Sequence, residues 1–299
     1  MLGLRPVGSG SRLRGEELAM SRWPDIPLED TFGDVLRKAM RGNRVTTATL
    51  ASQTGIPAAD IEAWLADDGT ANAEQARALA TVLKLNPERL VERAAGTFAP
   101  PVVVLDGVQQ HTQDSQPNSN GYVIFRGDRK RAALVDPAGS PQRLLQVLRD
   151  GGYDLQYILV THKHNDHSGA VAAVAKEYPH AQIVMHPLDA AAIGPLASKA
   201  LAANDGATFP FGDGAQIRVL HTPGHTDGSV SYLVDSTVFT GDILFSGSVG
   251  GAYGDKSTYG DILRSVSTKL FTLPDDTAIM PGHGPPSTVA AERAHDPFF

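Results

Sequence analysis

Cysteine is absent from the 299 residues of this chain. Its absence excludes disulfide bonds, thiolate metal sites and cysteine nucleophiles. Any metal ligands must therefore offer nitrogen or oxygen, a donor set that suits Zn, Fe(II) or Mn without choosing between them. Long apolar runs are also absent, and Met1–Pro27 contains arginines without the apolar segment of a signal peptide. We therefore expect a cytoplasmic protein with no membrane partner.

Positive charge is scarce as well, because 26 Lys and Arg stand against 33 Asp and Glu, for a net charge of −7. This balance disfavours a nucleic-acid partner. The length and a hydrophobic content of 41% allow a sizeable core plus a second module. We predict a disordered leader rich in Gly, Arg and Ser over residues 1–27, a small helical domain over 28–96 and a larger domain over 97–299.

Helix-length amphipathic stretches characterise residues 28–96, with breaks at Gly42-Asn43, at Gly55 and at Asp67–Thr70. The segment Thr49–Leu65 resembles the helix-turn-helix of the Cro/repressor-like family, within a match from Thr31 to Arg93. The resemblance implies that small residues form the helix packing and the turn and that apolar residues face the core; these positions are Ala51, Gly55, Ile56, Ile61 and Trp64. We therefore expect an all-α helix-turn-helix domain before residue 97.

Acidic residues occupy the helix that would read DNA in such a domain. Pro57–Leu65 contains Asp60 and Glu62 but no Lys or Arg, whereas phosphate and guanine contacts use cations. Residues 28–96 hold eight Lys or Arg and ten Asp or Glu, a net charge of −2. A DNA partner is therefore open but not favoured, and the favoured role is dimerisation, giving a homodimer, or packing between domains. One local basic strip is present, formed by Arg37, Lys38, Arg41 and Arg44.

Residues 161–169 form the most informative segment, T-H-K-H-N-D-H-S-G, which contains His162, His164, Asp166 and His167. The apolar run Tyr157–Val160 before it predicts a buried strand, so the cluster begins at a strand end. Alternate residues of an extended segment face the same way, which turns His162 and His164 toward one point. Asp166 and His167 lie near the start of a helix that we predict from Ser168. Two ligand groups with different directions suit two metal ions about 3.5 to 4 Å apart.

Three downstream residues have settings similar to that of the histidine cluster. His225 follows the strand-like run Gln216–Leu220, while Asp242 and His283 follow apolar runs that end at residues 239 and 280. Repetition of this pattern indicates strands of one sheet that end at a common edge, where α/β folds place their sites. We expect no ligand role for the remaining histidines, which are His111, His180, His186, His221 and His295.

In order and spacing, H-x-H-x-D-H, T-P-G-H-T, T-G-D and P-G-H-G resemble the metallo-β-lactamase superfamily, and more narrowly its glyoxalase II-like hydrolases, over Phe98–Phe299. The resemblance implies an α/β fold, an αββα sandwich. It implies a first metal bound by His162, His164 and His225, a second bound by Asp166, His167 and His283, and Asp242 as the bridge between them. Asp136 matches an aspartate that supports the ligands without binding metal itself.

The implied chemistry is hydrolysis. Two divalent ions, with Zn expected and Fe or Mn open, would supply a metal-bound hydroxide that attacks a carbonyl carbon. Asp166 would orient this nucleophile and relay its proton as the catalytic residue. We expect a small-molecule substrate with a thioester, lactone or related small ester. Two alternatives stay open: an iron-dependent persulfide dioxygenase that uses only His162, His164, His225 and Asp242, and a metabolite-responsive DNA-binding regulator.

Substrate contacts depart from the glyoxalase II-like pattern. Gly251 stands where those enzymes commonly carry a Lys or Arg, so an anion-binding charge is missing there. Tyr253 matches an aromatic position of that family, and Lys256 could supply a replacement cation from the same loop. The chain ends sixteen residues after His283, without the C-terminal helical extension that helps the larger glyoxalase II enzymes hold glutathione. A glutathione thioester is therefore less favoured than other small esters.

Overall fold

The computed structural model describes residues 20–22, 26–113, 115, 117–126, 131–212 and 214–299. Most of the predicted leader, residues 1–27, lies outside this part of the chain. Within the leader, Met20–Arg22 forms strand β1, which pairs antiparallel with β2 (Val104–Asp106). None of the described helices is long and apolar enough to cross a membrane.

A helical region precedes the sandwich, and its helices are α1 (Phe32–Asn43), α2 (Thr47–Thr54), α3 (Ala58–Leu65), α4 (Ala73–Leu83) and α5 (Pro87–Ala95). Local signals fix several ends. Thr31 and Asp34 form a reciprocal capping box that starts α1. Gly55, at a φ of 72°, ends α2 in the left-handed conformation that glycine adopts at low cost. The breaks predicted from the sequence therefore coincide with helix ends.

The first sheet has the strand order β3-β4-β5-β6-β7-β8. Its strands are β3 (Val108–Gln113), β4 (Ser119–Arg126), β5 (Arg131–Val135), β6 (Asp154–Leu159), β7 (Gln182–Met185) and β8 (Leu201–Ala202). The accompanying helices are α6 (Pro141–Asp150), α7 (Asn165–Ser168) and α8 (Val171–Glu177), with 3₁₀ turns over Ala190–Lys199. Strands β5 to β8 run parallel, so their carboxyl ends share one edge.

The second sheet has the order β16-β15-β12-β11-β10-β9. Its strands are β9 (Thr208–Phe211), β10 (Ala215–His221), β11 (Val230–Val234), β12 (Thr237–Gly241), β15 (Ala278–Pro281) and β16 (Ser287–Thr288). A hairpin of β13 (Leu244–Phe245) and β14 (Ser248–Val249) follows β12. Helices α9 (Tyr259–Ser265) and α10 (Val289–His295) complete the chain, with a π-helical turn over Val266–Leu270.

Each sheet has apolar side chains on both faces, and the two faces pack into different cores. Tyr122 and Leu159 of the first sheet meet Tyr232 and Phe239 of the second in a buried cluster between the sheets. The outer face of the first sheet packs on α6 and α8. The outer face of the second packs on α9 and α10. These four layers form the α/β fold, an αββα sandwich, that the sequence predicts.

The helical region shares its core with the outer face of the second sheet. Leu36 and Leu90 belong to the same buried cluster as Val238 and Ile279. Polar contacts add to this packing: Asn86 N–H donates to the carbonyl of Pro297 at 2.7 Å, and Arg89 donates to the carbonyl of Phe299 at 2.6 Å. The boundary between residues 96 and 97 stays a prediction.

Candidate metal centre

The loop after β6 is anchored by a buried aspartate. Asp136, at the end of β5, accepts hydrogen bonds at 2.7 Å from both the backbone N–H and the hydroxyl of Thr161. It also accepts from Nδ1 of His167 at 3.0 Å. This contact fixes the orientation of the His167 ring, so that Nε2 faces the centre, 3.3 Å from Oδ1 of Asp242. Asp136 therefore holds a ligand ring without entering the ligand group itself.

A short helical turn presents the second half of the histidine segment. We predicted a helix from Ser168, but the helical turn α7 already begins at Asn165, and α8 follows from Val171. The sequence prediction was late because the turn spans only four residues and carries no apolar periodicity. The early turn places Asp166 and His167 in a second ligand group, although the ring centroids of His162 and His167 are 4.2 Å apart.

The first ligand group consists of His162, His164 and His225, whose ligand atoms lie within 4.8 Å of one another. Nδ1 of His164 is 3.0 Å from Nε2 of His162 and 2.8 Å from Nε2 of His225. Nδ1 of His225 donates to the carbonyl of Gly251 at 2.7 Å, which leaves its Nε2 facing the group. Three ring nitrogens therefore converge on one point.

The second group consists of Asp166, His167, Asp242 and His283. Nε2 of His283 lies 3.4 Å from a carboxylate oxygen of Asp166 and 3.4 Å from one of Asp242. Asp242 is also 3.5 Å from Nε2 of His225 and 3.9 Å from Nε2 of His162. Its carboxylate therefore lies between the two groups, the position of a bridging ligand.

The electrostatics of the two groups differ. Burial lowers the pKa of His225 to about 4 and the pKa of His162 well below its ordinary value, so both rings are neutral. Burial opposes protonation of His283 too, but the Asp242 and Asp166 carboxylates raise its pKa to about 10. Although burial disfavours its charge, Asp242 keeps a pKa well below its ordinary value because of His167 and His283. The centre thus has one neutral group and one group organised around carboxylates.

These residues fit a pair of divalent cations. Carboxylates and neutral imidazoles are the O and N donors that Zn, Fe and Mn accept, so a bound cation would displace the extra proton of His283. Oδ1 of Asp242 is buried and has no hydrogen-bond partner among the described residues, an arrangement that is costly unless a cation compensates it. The chain therefore has a His/Asp metal-binding cluster in which all seven ligand residues predicted from the sequence come together.

The ligands come from both sheets. His225, Asp242 and His283 follow β10, β12 and β15 of the second sheet, which agrees with a common edge for these three. The segment 161–169 follows β6 of the first sheet, so the centre lies where the edges of the two sheets meet. The other histidines lie elsewhere. For example, His221 stacks on His186 with ring centroids 4.3 Å apart, and His295 pairs with Glu92.

Two glycines give the backbone room beside the metal ligands. A Cβ on Gly282 would lie 2.2 Å from Oδ1 of Asp242, and a Cβ on Gly250 would lie 1.8 Å from its carbonyl oxygen. No real side chain tolerates such contacts. We did not single out these glycines in the sequence, although the glycine beside His283 in P-G-H-G and the glycine pair in S-V-G-G were available signals.

The predicted substrate residues lie beside the first group. The ring of Tyr253 is 5.4 Å from the ring of His225 and 6.1 Å from that of His164. Lys256 is exposed on the same loop, where its backbone N–H donates to the Asp227 carboxylate. Sequence reasoning missed a further neighbour, because the guanidinium of Arg41 on α1 lies 5.1 Å from the centre of the Tyr253 ring. The substrate roles of Tyr253 and Lys256 stay predictions.

Comparison with known proteins agrees with this geometry. The family model of the metallo-β-lactamase superfamily matches residues 116–283. Hydroxyacylglutathione hydrolase GloC of Haemophilus influenzae is 32% identical over 188 residues, 58% of this chain and 89% of that relative. ETHE1 from Myxococcus xanthus has a TM-score of 0.56 at 30% identity, over 64% of this chain and 83% of that structure. TTHA1623, in a di-iron-bound form, has a TM-score of 0.55 at 31% identity, over 64% of this chain and 100% of that structure.

Proposed function

The chain belongs to the metallo-β-lactamase superfamily, and we propose that it is a dinuclear metal-dependent hydrolase of a thioester, lactone or related small ester. His162, His164 and His225 would hold one cation, and Asp166, His167 and His283 the other, with Asp242 shared. Zn is the expected metal, with Fe or Mn as alternatives. When bound, such a pair lowers the pKa of a shared water and polarises a carbonyl group.

The observation that carries this proposal is the shared carboxylate. Asp242 is 3.5 Å from Nε2 of His225 in one group and 3.4 Å from Nε2 of His283 in the other. A site for a single ion has no use for the second group, whose four members also have ligand atoms within 4.8 Å of one another. This favours the hydrolase over the iron-dependent persulfide dioxygenase, which would use only the first group and Asp242.

The chain's own side chains supply the proton handling. Although burial opposes its charge, Asp166 keeps a lowered pKa through its hydrogen bond with His283, so its carboxylate is ionised at neutral pH. It is half-buried, and one oxygen lies 3.4 Å from Nε2 of His283. An ionised carboxylate in this position accepts a hydrogen bond from the attacking water and takes up its proton. Asp136 acts through His167, whose ring it fixes.

Supporting the substrate class, the relative from Haemophilus influenzae is named a hydroxyacylglutathione hydrolase, and an acyl group on the sulfur of glutathione forms a thioester. The half-exposed Tyr253 ring forms one wall of the approach to His164 and His225. A DNA-reading role receives no comparable support, because the exposed face of α3 carries Asp60 and Glu62.

Elemental analysis and a substrate panel test the proposal. We expect purified full-length protein to bind two metal ions per chain and to hydrolyse at least one member of a panel of thioesters and lactones, with glutathione persulfide included as the dioxygenase substrate. His164→Ala is the matched loss-of-ligand variant and should be inactive on the same substrate. One tightly bound Fe with oxygen uptake on the persulfide would overturn the hydrolase, and so would two bound ions without turnover of any thioester or lactone.

A further inference from the structure

A positively charged cavity lies between α1 and the loop that follows β14. Its volume is about 470 Å³, within the range of small-molecule sites. Four cationic side chains of α1 and its C-cap line it, namely Arg37, Lys38, Arg41 and Arg44, and Asp34 is its one lining carboxylate among the described residues. This concentration of positive charge stands out in a chain whose net charge is −7.

The cavity adjoins the metal centre. Gly250, Gly251 and Tyr253 form part of its lining. The Gly251 carbonyl accepts the hydrogen bond from His225 at 2.7 Å, and Tyr253 N–H donates to the carbonyl of His225 at 2.8 Å. A molecule in the cavity therefore lies within a residue's width of a predicted metal ligand.

Two of the four cations already have strong partners. Lys38 donates to Asp30 and, at 2.7 Å, to the carbonyl of Val249. These contacts link α1 to the sandwich and neutralise the charge of Lys38. Arg37 pairs with Asp34 at 2.5 Å and donates to the carbonyl of Leu65. Both are therefore held in place by contacts within the protein.

Arg41 and Arg44 are different, because both are exposed and neither has a carboxylate within 4.0 Å among the described residues. Arg41 lies over the face of the Tyr253 ring, 5.1 Å from its centre, a cation–π contact that fixes the guanidinium beside the approach to the metal centre. Guanidinium groups bind carboxylates through paired hydrogen bonds.

We propose that Arg41 and Arg44 bind a carboxylate on the leaving-group side of the substrate. The helical region would thus supply the positive charge that a Lys or Arg at position 251 provides in glyoxalase II-like enzymes. A side chain at 251 would collide with the Tyr253 ring, since a Cβ there lies 2.7 Å from it. The glycine keeps the passage beside Tyr253 open for a chain that reaches from the metal centre to Arg41. The substrate class is an anionic thioester or ester with a terminal carboxylate, and this assignment rests on the proposed hydrolase function.

A matched pair of substrates tests the subsite. The acetyl thioester of mercaptohexanoate carries the carboxylate, and the acetyl thioester of mercaptohexanamide has the same length without charge. For the metal-loaded full chain we expect kcat/KM to favour the carboxylate by about tenfold, mainly through KM, as a charge-assisted contact of this kind provides. The preference should shrink as ionic strength rises.

Variants separate the subsite from other effects. The double variant Arg41→Gln/Arg44→Gln should bring the carboxylate-to-amide ratio close to one. Arg77→Gln, an exposed arginine of the same helical region that pairs with Glu88, should keep the wild-type ratio. Equal turnover of the two thioesters by the wild-type protein, or an unchanged ratio in the double variant, would overturn the subsite while leaving the hydrolase intact.

Binding of an inert analogue distinguishes failure of the subsite from failure of the hydrolase. The acetonyl thioether of mercaptohexanoate cannot be hydrolysed, and calorimetry should give it about tenfold tighter binding than its amide, with loss of this difference in the double variant. If neither thioester is hydrolysed but this difference is present, the subsite stands and the proposed hydrolysis fails. If the difference is absent, the subsite fails whatever the turnover.

Discussion

Replacing Asp136 with asparagine tests how the second ligand group is organised. Asparagine has nearly the same shape and tolerates the left-handed backbone at this position, where φ is 51°. Its amide oxygen can still accept from the N–H of Thr161. Its NH₂ group, however, faces Nδ1 of His167, which now donates to Asp136 at 3.0 Å. Two donors cannot face each other, so the proton of His167 should move to Nε2.

A proton on Nε2 blocks the nitrogen that faces Asp242. Loss of a supporting hydrogen bond to a ligand costs about 10- to 100-fold in metal affinity, or about 1.4 to 2.7 kcal/mol. We therefore expect Asp136→Asn to release one of two metal ions at lower chelator concentration than the wild-type protein, while His162, His164 and His225 keep the other. Elemental analysis after stepwise dialysis against a chelator measures this.

Asp189→Asn is the matched control for a buried aspartate. Asp189 accepts hydrogen bonds from Lys163 N–H and from the Thr226 hydroxyl, at 3.1 and 2.5 Å, but contacts no ligand ring among the described residues. Its replacement should lower thermal stability without changing metal stoichiometry. Retention of two ions with wild-type affinity by Asp136→Asn, or equal loss of metal by both variants, would refute this role of Asp136.

His164→Ala should abolish metal binding at the first group and hydrolysis while leaving far-UV circular dichroism unchanged, and normal turnover by this variant would contradict the ligand assignment. Burial and then the charge of Asp296 raise the pKa of Glu292 to about 8 from 4.5. Because the folded-state pKa is raised, this group's contribution to stability is full below about pH 4.5 and is lost as pH rises to about 8. Glu292→Gln should flatten that fall in melting temperature, and an unchanged pH profile would refute the assignment. Gly250→Ala should cost about 1–3 kcal/mol of unfolding free energy because its Cβ meets the backbone carbonyl of Asp242, more than Gly251→Ala, whose Cβ meets the far end of the half-exposed Tyr253 side chain, which can be displaced. Equal melting temperatures of these two variants would contradict this difference in steric cost.

The gathering of the seven predicted ligand side chains at one place was predictable, because each motif follows a short apolar run. A buried strand ends where its apolar run ends, and the next polar residue is delivered to the sheet edge. Local sequence alone therefore predicts the positions of His225, Asp242 and His283 at strand ends, as it does for the segment 161–169. It also predicted the helix breaks at Gly42-Asn43 and Gly55, where local chemistry determines the chain reversal.

Contacts between distant parts of the chain were not predictable in this way. Lys38 and Val249 are 211 positions apart, and nothing in either segment specifies the other. The same holds for Arg41 and Tyr253, whose stacking depends on how the helical region docks on the second sheet. The basic strip was visible in the sequence, but its orientation toward the metal centre follows from tertiary packing alone.

This docking bears on the role of the helical region. Leu36 and Leu90 share one buried cluster with Val238 and Ile279. If the helical region left the second sheet to bind DNA as a separate domain, it would expose the apolar surface of that sheet to water. The basic helix α1 lines the cavity beside the metal centre, whereas α3 presents Asp60 and Glu62 to solvent. A DNA-reading domain needs the opposite arrangement, with cations on the exposed recognition helix. The shared core and the direction in which the basic strip points therefore favour packing between domains, one of the roles that the sequence favoured, over DNA reading.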